Sequence, residues 1–284
     1  MSITLSSINE LSAAIRRASH VEFGSFVLGG GPVRDALAAA AERGADVDVV
    51  LALRPYATGA DGARENAGSA EILRDAGAHV TLMHGRATWF HVKGAVCDGV
   101  AYLDDRNFPR ADQTVLRDDD PNDVALVSAA IHGTGTTSPT LATEKDDALW
   151  QEANLIRGAT GKPVIVETET FGPGIVSSAL RLHAQSGAPT TLIVSPEFAG
   201  KPQTRAMLDG MRKAGVEVHE TGSSEKCALA GDTVWVGSAN ASFAFGDAGK
   251  QIDWGVVTRE PPVVDAVRAA LARDLGADAL RASS

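Results

Sequence analysis

Apolar positions along the chain recur with two different periods, and the switch between them outlines the elements. Ile8, Leu11 and Ile15 repeat at helical intervals behind Ser7 and Asn9, either of which can cap, and predict a helix over 8–19. Phe26-Val27-Leu28 is an unbroken apolar run that predicts a short strand entering Gly29-Gly30-Gly31-Pro32. The Ala-rich stretch Val33 to Arg43 opens beside that proline and predicts a helix. Val47 to Leu53 predicts a second strand and Ala57 to Ala67, rich in Gly and Ala, a loop over a site. Ser69 to Ala76 predicts a helix and Val80 to Met83 a third strand. From Trp89 the pattern predicts a strand through His91 and Lys93, a second strand at Gly99-Val-Ala-Tyr-Leu103, and Asp104 to Asn107 as the turn that closes the hairpin. The acidic run Asp118 to Asp123 reads as a solvated turn rather than a metal site. Val124 to Ile131 is a strand or short helix, and Gly133 to Thr140 reads as a linker.

Beyond that linker the pattern starts again. Leu141 to Ile156 predicts a helix ending near Gly158, and Val164-Ile165-Val166 a strand running into Phe171-Gly-Pro-Gly174, which echoes Gly29 to Pro32. Ser177 to Gln185 predicts the next helix. Thr191 to Ser195 matches Val47 to Leu53, with Pro196 where Pro55 stands, and Met207 to Ala214 is a helix followed by a Gly-Val-Glu-Val stretch like Gly77 to Val80. Ser224-Glu225-Lys226 falls where His91-Val92-Lys93 falls, and Gly237 to Asn240 where Asp104 to Asn107 falls. Strands alternating with helices in two copies predict an α/β protein with mixed sheets covered by helices, one lobe over 1–138 and one over 139–284.

Composition narrows the chemistry. With 284 residues and 44% apolar side chains the chain can bury a substantial core. A formal net charge of −10 argues against a general duplex-binding surface, which needs clustered Lys and Arg to displace counterions. Nucleic acid is therefore a disfavoured partner, whereas a small phosphate-containing substrate is compatible with a local basic pocket. No signal-like start and no run of about twenty apolar residues is present, so the expectation is a cytoplasmic protein without membrane insertion, for which a monomer is acceptable. Cys97 and Cys227, the only two cysteines, imply neither a disulfide framework nor a metal site, and no metal or other cofactor is expected.

The stretch His91-Val-Lys93-Gly-Ala-Val-Cys-Asp98, followed by Asn107, places an imidazole, an ammonium, a carboxylate and an amide at fixed intervals. On a strand, His91 and Lys93 would leave one face and converge on one small anion. This His-x-Lys-x4-Asp order resembles the signature of the phospholipase D superfamily, and the repeat extends the resemblance over nearly the whole chain. The resemblance implies two α/β repeats related by a pseudo-twofold axis, each with one half of a metal-independent site. One histidine attacks phosphorus to form a phosphohistidine. The other protonates the leaving group and then activates water or an alcohol. Carried over, His91 is the nucleophile, Lys93 and Lys226 clamp the phosphoryl group, and Asn107 and Asn240 hold its oxygens. Asp98 supports, as does Ser238 of Gly237-Ser-Ala-Asn240, whereas Asp104-Asp105 replaces Gly-Ser in the first half.

The second half departs where it matters most. Ser224 stands in place of the second histidine, and Gly231 in place of the second aspartate unless Asp232 takes that role. A serine hydroxyl cannot do the imidazole's proton transfer at neutral pH. Three outcomes follow: a leaving group basic too weakly to need an acid, as in a phosphoanhydride; a substitute donor, with His219, His84 and Glu225 at hand; or a relative that binds without turnover. His219 and Glu225 are also candidates for substrate contact. The favoured reading is a phosphodiesterase or phosphotransferase acting on a small phosphodiester or phosphoanhydride; the alternatives are a phosphate-ligand binder and a single-stranded nuclease.

Overall fold

The computed structural model describes residues 3–56, 58–84, 89–108, 114–242 and 251–275. The chain divides into two compact units, one of 1–144 with 246–254, the other of 145–245 with 255–284. The first unit opens with β1 (Thr4–Ser6) and α1 (Ile8–Arg17), whose N-cap Ser7 accepts the Glu10 N–H and whose Ile8, Leu11 and Ile15 are buried. β2 (His20–Ser25) leads to α2 (Pro32–Glu42), then β3 (Asp46–Ala52), α3 (Gly59–Asp75) and β4 (His79–Met83). β5 (Trp89–Phe90), β6 (Lys93–Cys97), β7 (Val100–Leu103), β8 (Val115–Asp118), α4 (Pro121–Ile131) and β9 (Leu141–Ala142) follow. The sheet runs β1-β8-β7-β6-β2-β3-β4. β2, β3 and β4 are parallel, as their crossover helices require, and the rest pair antiparallel. Phe23, Leu37, Val49 and Leu51, all without exposure, centre the core beneath α1 and α2.

The second unit repeats this order with α5 (Lys145–Gly158), β10 (Val164–Thr168), α6 (Ile175–Gln185), β11 (Thr190–Val194), α7 (Pro196–Ala199), α8 (Pro202–Lys213) and β12 (Glu217–His219). β13 (Cys227–Ala230) and β14 (Thr233–Gly237) form its hairpin. The chain then returns to the first unit for β15 (Gln251–Ile252), which lies parallel to β5, before β16 (Gly255–Thr258) and α9 (Pro261–Leu275) complete the second. The six sheet strands of this unit run β12-β11-β10-β13-β14-β16. Position for position this matches β4-β3-β2-β6-β7-β8, so the protein is α/β with two mixed sheets covered by helices.

Several local expectations are corrected. Phe26–Leu28 is not a strand: β2 ends at Ser25, and the buried Asn66 ties the next residues down by donating to Phe26 O and Ala52 O and accepting from Leu28 N. The stretch read as a loop over 57–67 is the first half of α3, since Gly and Ala are compatible with a helix when tertiary packing pays for it; Ala57 itself lies outside the described residues. The hairpin turn is Asp98-Gly99, not 104–107. Both residues take left-handed φ, +46° and +82°, as a two-residue primed turn demands. Val124 to Ile131 is helix α4, capped by Asp120 of the acidic run. Leu141–Ala142 is a short strand and the helix begins only at Lys145. The segment taken for a linker is tied back to α4, with Ser138 and Thr140 hydroxyls donating to Asp123.

Candidate active site

Lys93 opens β6 opposite Ser25, the last residue of β2, while His91 and Val92 lie in the break between β5 and β6. His91 is therefore not held by a sheet ladder on its own strand. Its N–H donates to Ile252 O (3.0 Å), and its Nδ1 lies 2.6 Å from Asp253 Oδ1. A carboxylate only accepts, so Nδ1 carries the proton. Asp253 has no exposure, and its other oxygen accepts from Gln251 Nε2 at 2.6 Å. The same amide donates to the Tyr56 hydroxyl at 2.8 Å. Tyr56 in turn stacks on His91 with ring centres 5.6 Å apart, and Phe26 meets the imidazole edge-on at 4.6 Å. Both the plane of the imidazole and its tautomer are thus fixed by neighbours.

Lys93 is almost wholly buried; Nζ donates to His91 O at 2.7 Å and lies 5.4 Å from the centre of the Phe26 ring. Beyond β7, Asp104 N–H donates to Lys93 O, the Asp104 carboxylate accepts the Phe108 N–H, and Trp254 Nε1 donates to Asp104 O. These bonds return the chain past Lys93 and set Asn107, which is exposed and whose Oδ1 accepts Val27 N–H at 3.4 Å. Asp98 lies at the opposite end of β6 from Lys93. In the hairpin turn its carboxylate accepts the N–H groups of Ser19 and His20.

The second unit reproduces four bonds of this framework. Lys226 Nζ donates to Ser224 O (3.3 Å), Asn240 Oδ1 accepts Thr170 N–H (3.1 Å), and Gly237 N–H donates to Lys226 O (3.1 Å). Thr168 donates to Thr170 O as Ser25 does to Val27 O. Ser238 is fully buried, and Gly231, in left-handed φ beside Asp232, occupies the turn position held by Asp98. What differs is the surroundings. Lys226 pairs with Glu169 at 3.4 Å. Ser224 sits in left-handed φ (+75°), in a segment held by acids: Glu167 Oε1 accepts Ser223 and Glu225 N–H, and Asp274 accepts both Ser223 N–H and its hydroxyl. Burial pushes Glu167 up to about 9, with Asp274 and Glu225 adding to the shift. Glu225 is buried against Arg273 at 3.2 Å, and His219 is bonded to Glu217 on the same strand at 2.9 Å. His84 is exposed just after β4.

Asp253, Gln251 and Tyr56 stand outside the spacing that points to His91. The signal that marks Asp253 is an acid set in the apolar run Ile252-Asp-Trp-Gly-Val-Val257. Among the described residues no group of three His, Cys, Asp or Glu is arranged to hold a metal ion, and no helix is long and apolar enough to cross a membrane.

Two α/β units with one strand order, each turning a Lys back onto the residue two before it and closing with an Asn, are the repeated arrangement that the phospholipase D resemblance implies. The chain superposes on polyphosphate kinase from Porphyromonas gingivalis with a TM-score of 0.65 at 17% identity, over 92% of this chain and 43% of that one. It therefore spans less than half the length of that kinase. About half of the chain also aligns with Nuc, a phospholipase D family member from Salmonella typhimurium (12% identity, 49% of this chain, 95% of that one, TM-score 0.41). NucT from Helicobacter pylori aligns over a similar share (18% identity, 48% of this chain, 94% of that one, TM-score 0.42). The sequence matches no family model and no curated protein.

Proposed function

We propose that the protein is a phosphoryl-transfer enzyme of the phosphodiesterase type in which His91 is the nucleophile. The observation that carries this reading is the 2.6 Å bond from Nδ1 to buried Asp253, which orients the imidazole and places a proton on Nδ1. Nε2 attacks phosphorus, the bond from phosphorus to the leaving oxygen breaks, and a phosphohistidine forms with Nδ1 still protonated against Asp253. Water or an alcohol then attacks the same phosphorus, the N–P bond breaks, and the proton of the incoming oxygen passes to solvent. Lys93 and Asn107 are assigned to the phosphoryl oxygens. Lys226 and Asn240, set in the same hydrogen-bonded framework in their own unit, are assigned the same role.

With Ser224 in place of an imidazole, the leaving oxygen departs as an anion, which favours a weakly basic leaving group such as that of a phosphoanhydride or an activated phosphodiester. The likeness to a polyphosphate kinase is compatible with that class. Rapid quench followed by intact-protein mass spectrometry on nucleoside diphosphates, polyphosphate and p-nitrophenyl diesters should trap an acid-labile adduct on His91. Turnover that persists in His91→Ala sinks the assignment. The same Ser224 favours a second reading, a phosphate-ligand binder, for which saturable binding across that panel with no turnover is the expected outcome.

A further inference from the structure

We propose that the cavity beside Asn107 in the first unit is a subsite for a vicinal diol, a glycerol- or sugar-type group borne on the substrate's phosphate; this rests on the phosphodiester reading above. The cavity holds about 410 Å³, a size typical of ligand pockets, and is walled by the backbone of Gly29 to Gly31 and by Arg34, Thr58, Glu65 and Asn107. A Cβ on Gly29 would lie 3.4 Å from Glu65 Oε2, and one on Gly30 would lie 3.3 Å from the Arg34 guanidinium. Both charged side chains thus lie over bare backbone, and side chains at 29 or 30 would crowd them.

The hydrogen-bonding character of the wall selects the ligand. Asn107 uses Oδ1 on Val27 N–H, so its amide N–H groups remain to donate; Arg34 only donates. Glu65 only accepts, and Thr58 spends its proton on Pro55 O, leaving its oxygen as an acceptor. Donors and acceptors side by side match hydroxyl groups, each of which does both, and two adjacent hydroxyls match the two oxygens of one carboxylate. A second phosphate in the cavity would meet Glu65 and Asp61, and a quaternary ammonium would meet Arg34. Because Asn107 is also assigned to a phosphoryl oxygen, the group held here is a substituent of that phosphate. The corresponding hollow of the second unit, beside Ala241, holds about 220 Å³ and is lined mainly by Leu149, Trp150, Ile175 and Val176, with Asp146 and Ser242 but neither an Arg nor an Asn, so the wall of paired donors and acceptors belongs to the first unit.

Two measurements on the full chain test this. In amide NMR spectra, glycerol should shift the signals of Gly29, Gly30, Gly31 and Glu65 at concentrations where 1,3-propanediol does not. Equal or absent shifts overturn the proposal, whether or not the protein turns anything over. In steady-state kinetics, p-nitrophenyl glyceryl phosphate should show a KM on the order of tenfold below that of p-nitrophenyl propyl phosphate, the worth of one or two hydrogen bonds. Glu65→Gln should erase that difference between the two diesters; a preference that survives Glu65→Gln also overturns it. Shifts with glycerol but no turnover of either diester would leave the subsite standing and remove the phosphodiesterase reading.

Discussion

Glu167→Gln should flatten the pH dependence of folding stability. Burial, reinforced by Asp274 and Glu225, holds the Glu167 carboxyl at about 9 against an ordinary value of 4.5, so the folded protein keeps a proton that the unfolded chain releases. A raised pKa means that this group's contribution is fully present below about 4.5 and is lost as pH rises towards 9. Within that window the loss is about 1.4 kcal/mol per pH unit, or roughly 3 kcal/mol between pH 6 and pH 8. Glutamine is neutral throughout, retains an oxygen for the N–H groups of Ser223 and Glu225, and can donate to Asp274 as the protonated acid does. Glu152, fully buried and pushed up to about 8, adds its own slope to both proteins and cancels in the comparison. Guanidinium unfolding of the two proteins at pH 6, 7 and 8, followed by circular dichroism, should show the variant gaining on the wild type by about that amount. A difference that stays constant with pH would mean that Glu167 is ionised in the fold, with Arg273 rather than a proton offsetting the acids around it.

Asp253→Asn puts an amide against Nδ1 and favours the tautomer with the proton on Nε2; by analogy with the same change in a catalytic triad, kcat should fall by about 10⁴, and a loss under tenfold would remove the tautomer argument. Tyr56→Phe keeps the ring on His91 but deprives Gln251 of its acceptor, costing about 1 kcal/mol in a denaturation curve, whereas Tyr56→Ala should cost more and lower kcat as the imidazole loses its stack. Gly24→Ala would bring a methyl to 2.9 Å from Val92 and 3.2 Å from Phe90, the residues flanking His91, and should destabilise by about 1–3 kcal/mol with loss of activity; unchanged stability and rate would show that this layer repacks freely.

The repeat was legible because it is written twice: equal spacing from His91 to Asn107 and from Ser224 to Asn240 becomes the same set of backbone bonds in each unit. Periodicity was also enough for α1, α2, β3 and β11, whose buried faces are continuous. It misled where tertiary contacts decide. Phe26 to Leu28 is apolar because Phe26 packs on His91, not because it pairs in a sheet, and its backbone partners come from Asn66 on a distant helix. The Gly- and Ala-rich start of α3 has little propensity of its own. Asp253 lies far along the chain from His91, and no local pattern states which carboxylate will meet which imidazole. The acids around Ser224 were hidden for the same reason: Glu167 and Asp274 come from a strand and a helix end that only the fold brings together.

The return of residues 251–254 to the first unit has a consequence for synthesis. The ribosome delivers His91 and Lys93 before the second unit, yet the strand that pairs with β5 and the carboxylate that fixes the imidazole emerge only after residues 145–245 of the second unit have been made. Until then the His91 imidazole lacks its Asp253 partner and β5 lacks the strand it pairs with. On the role proposed for His91, a fragment ending at residue 144 should carry the whole His91 motif and yet be inert.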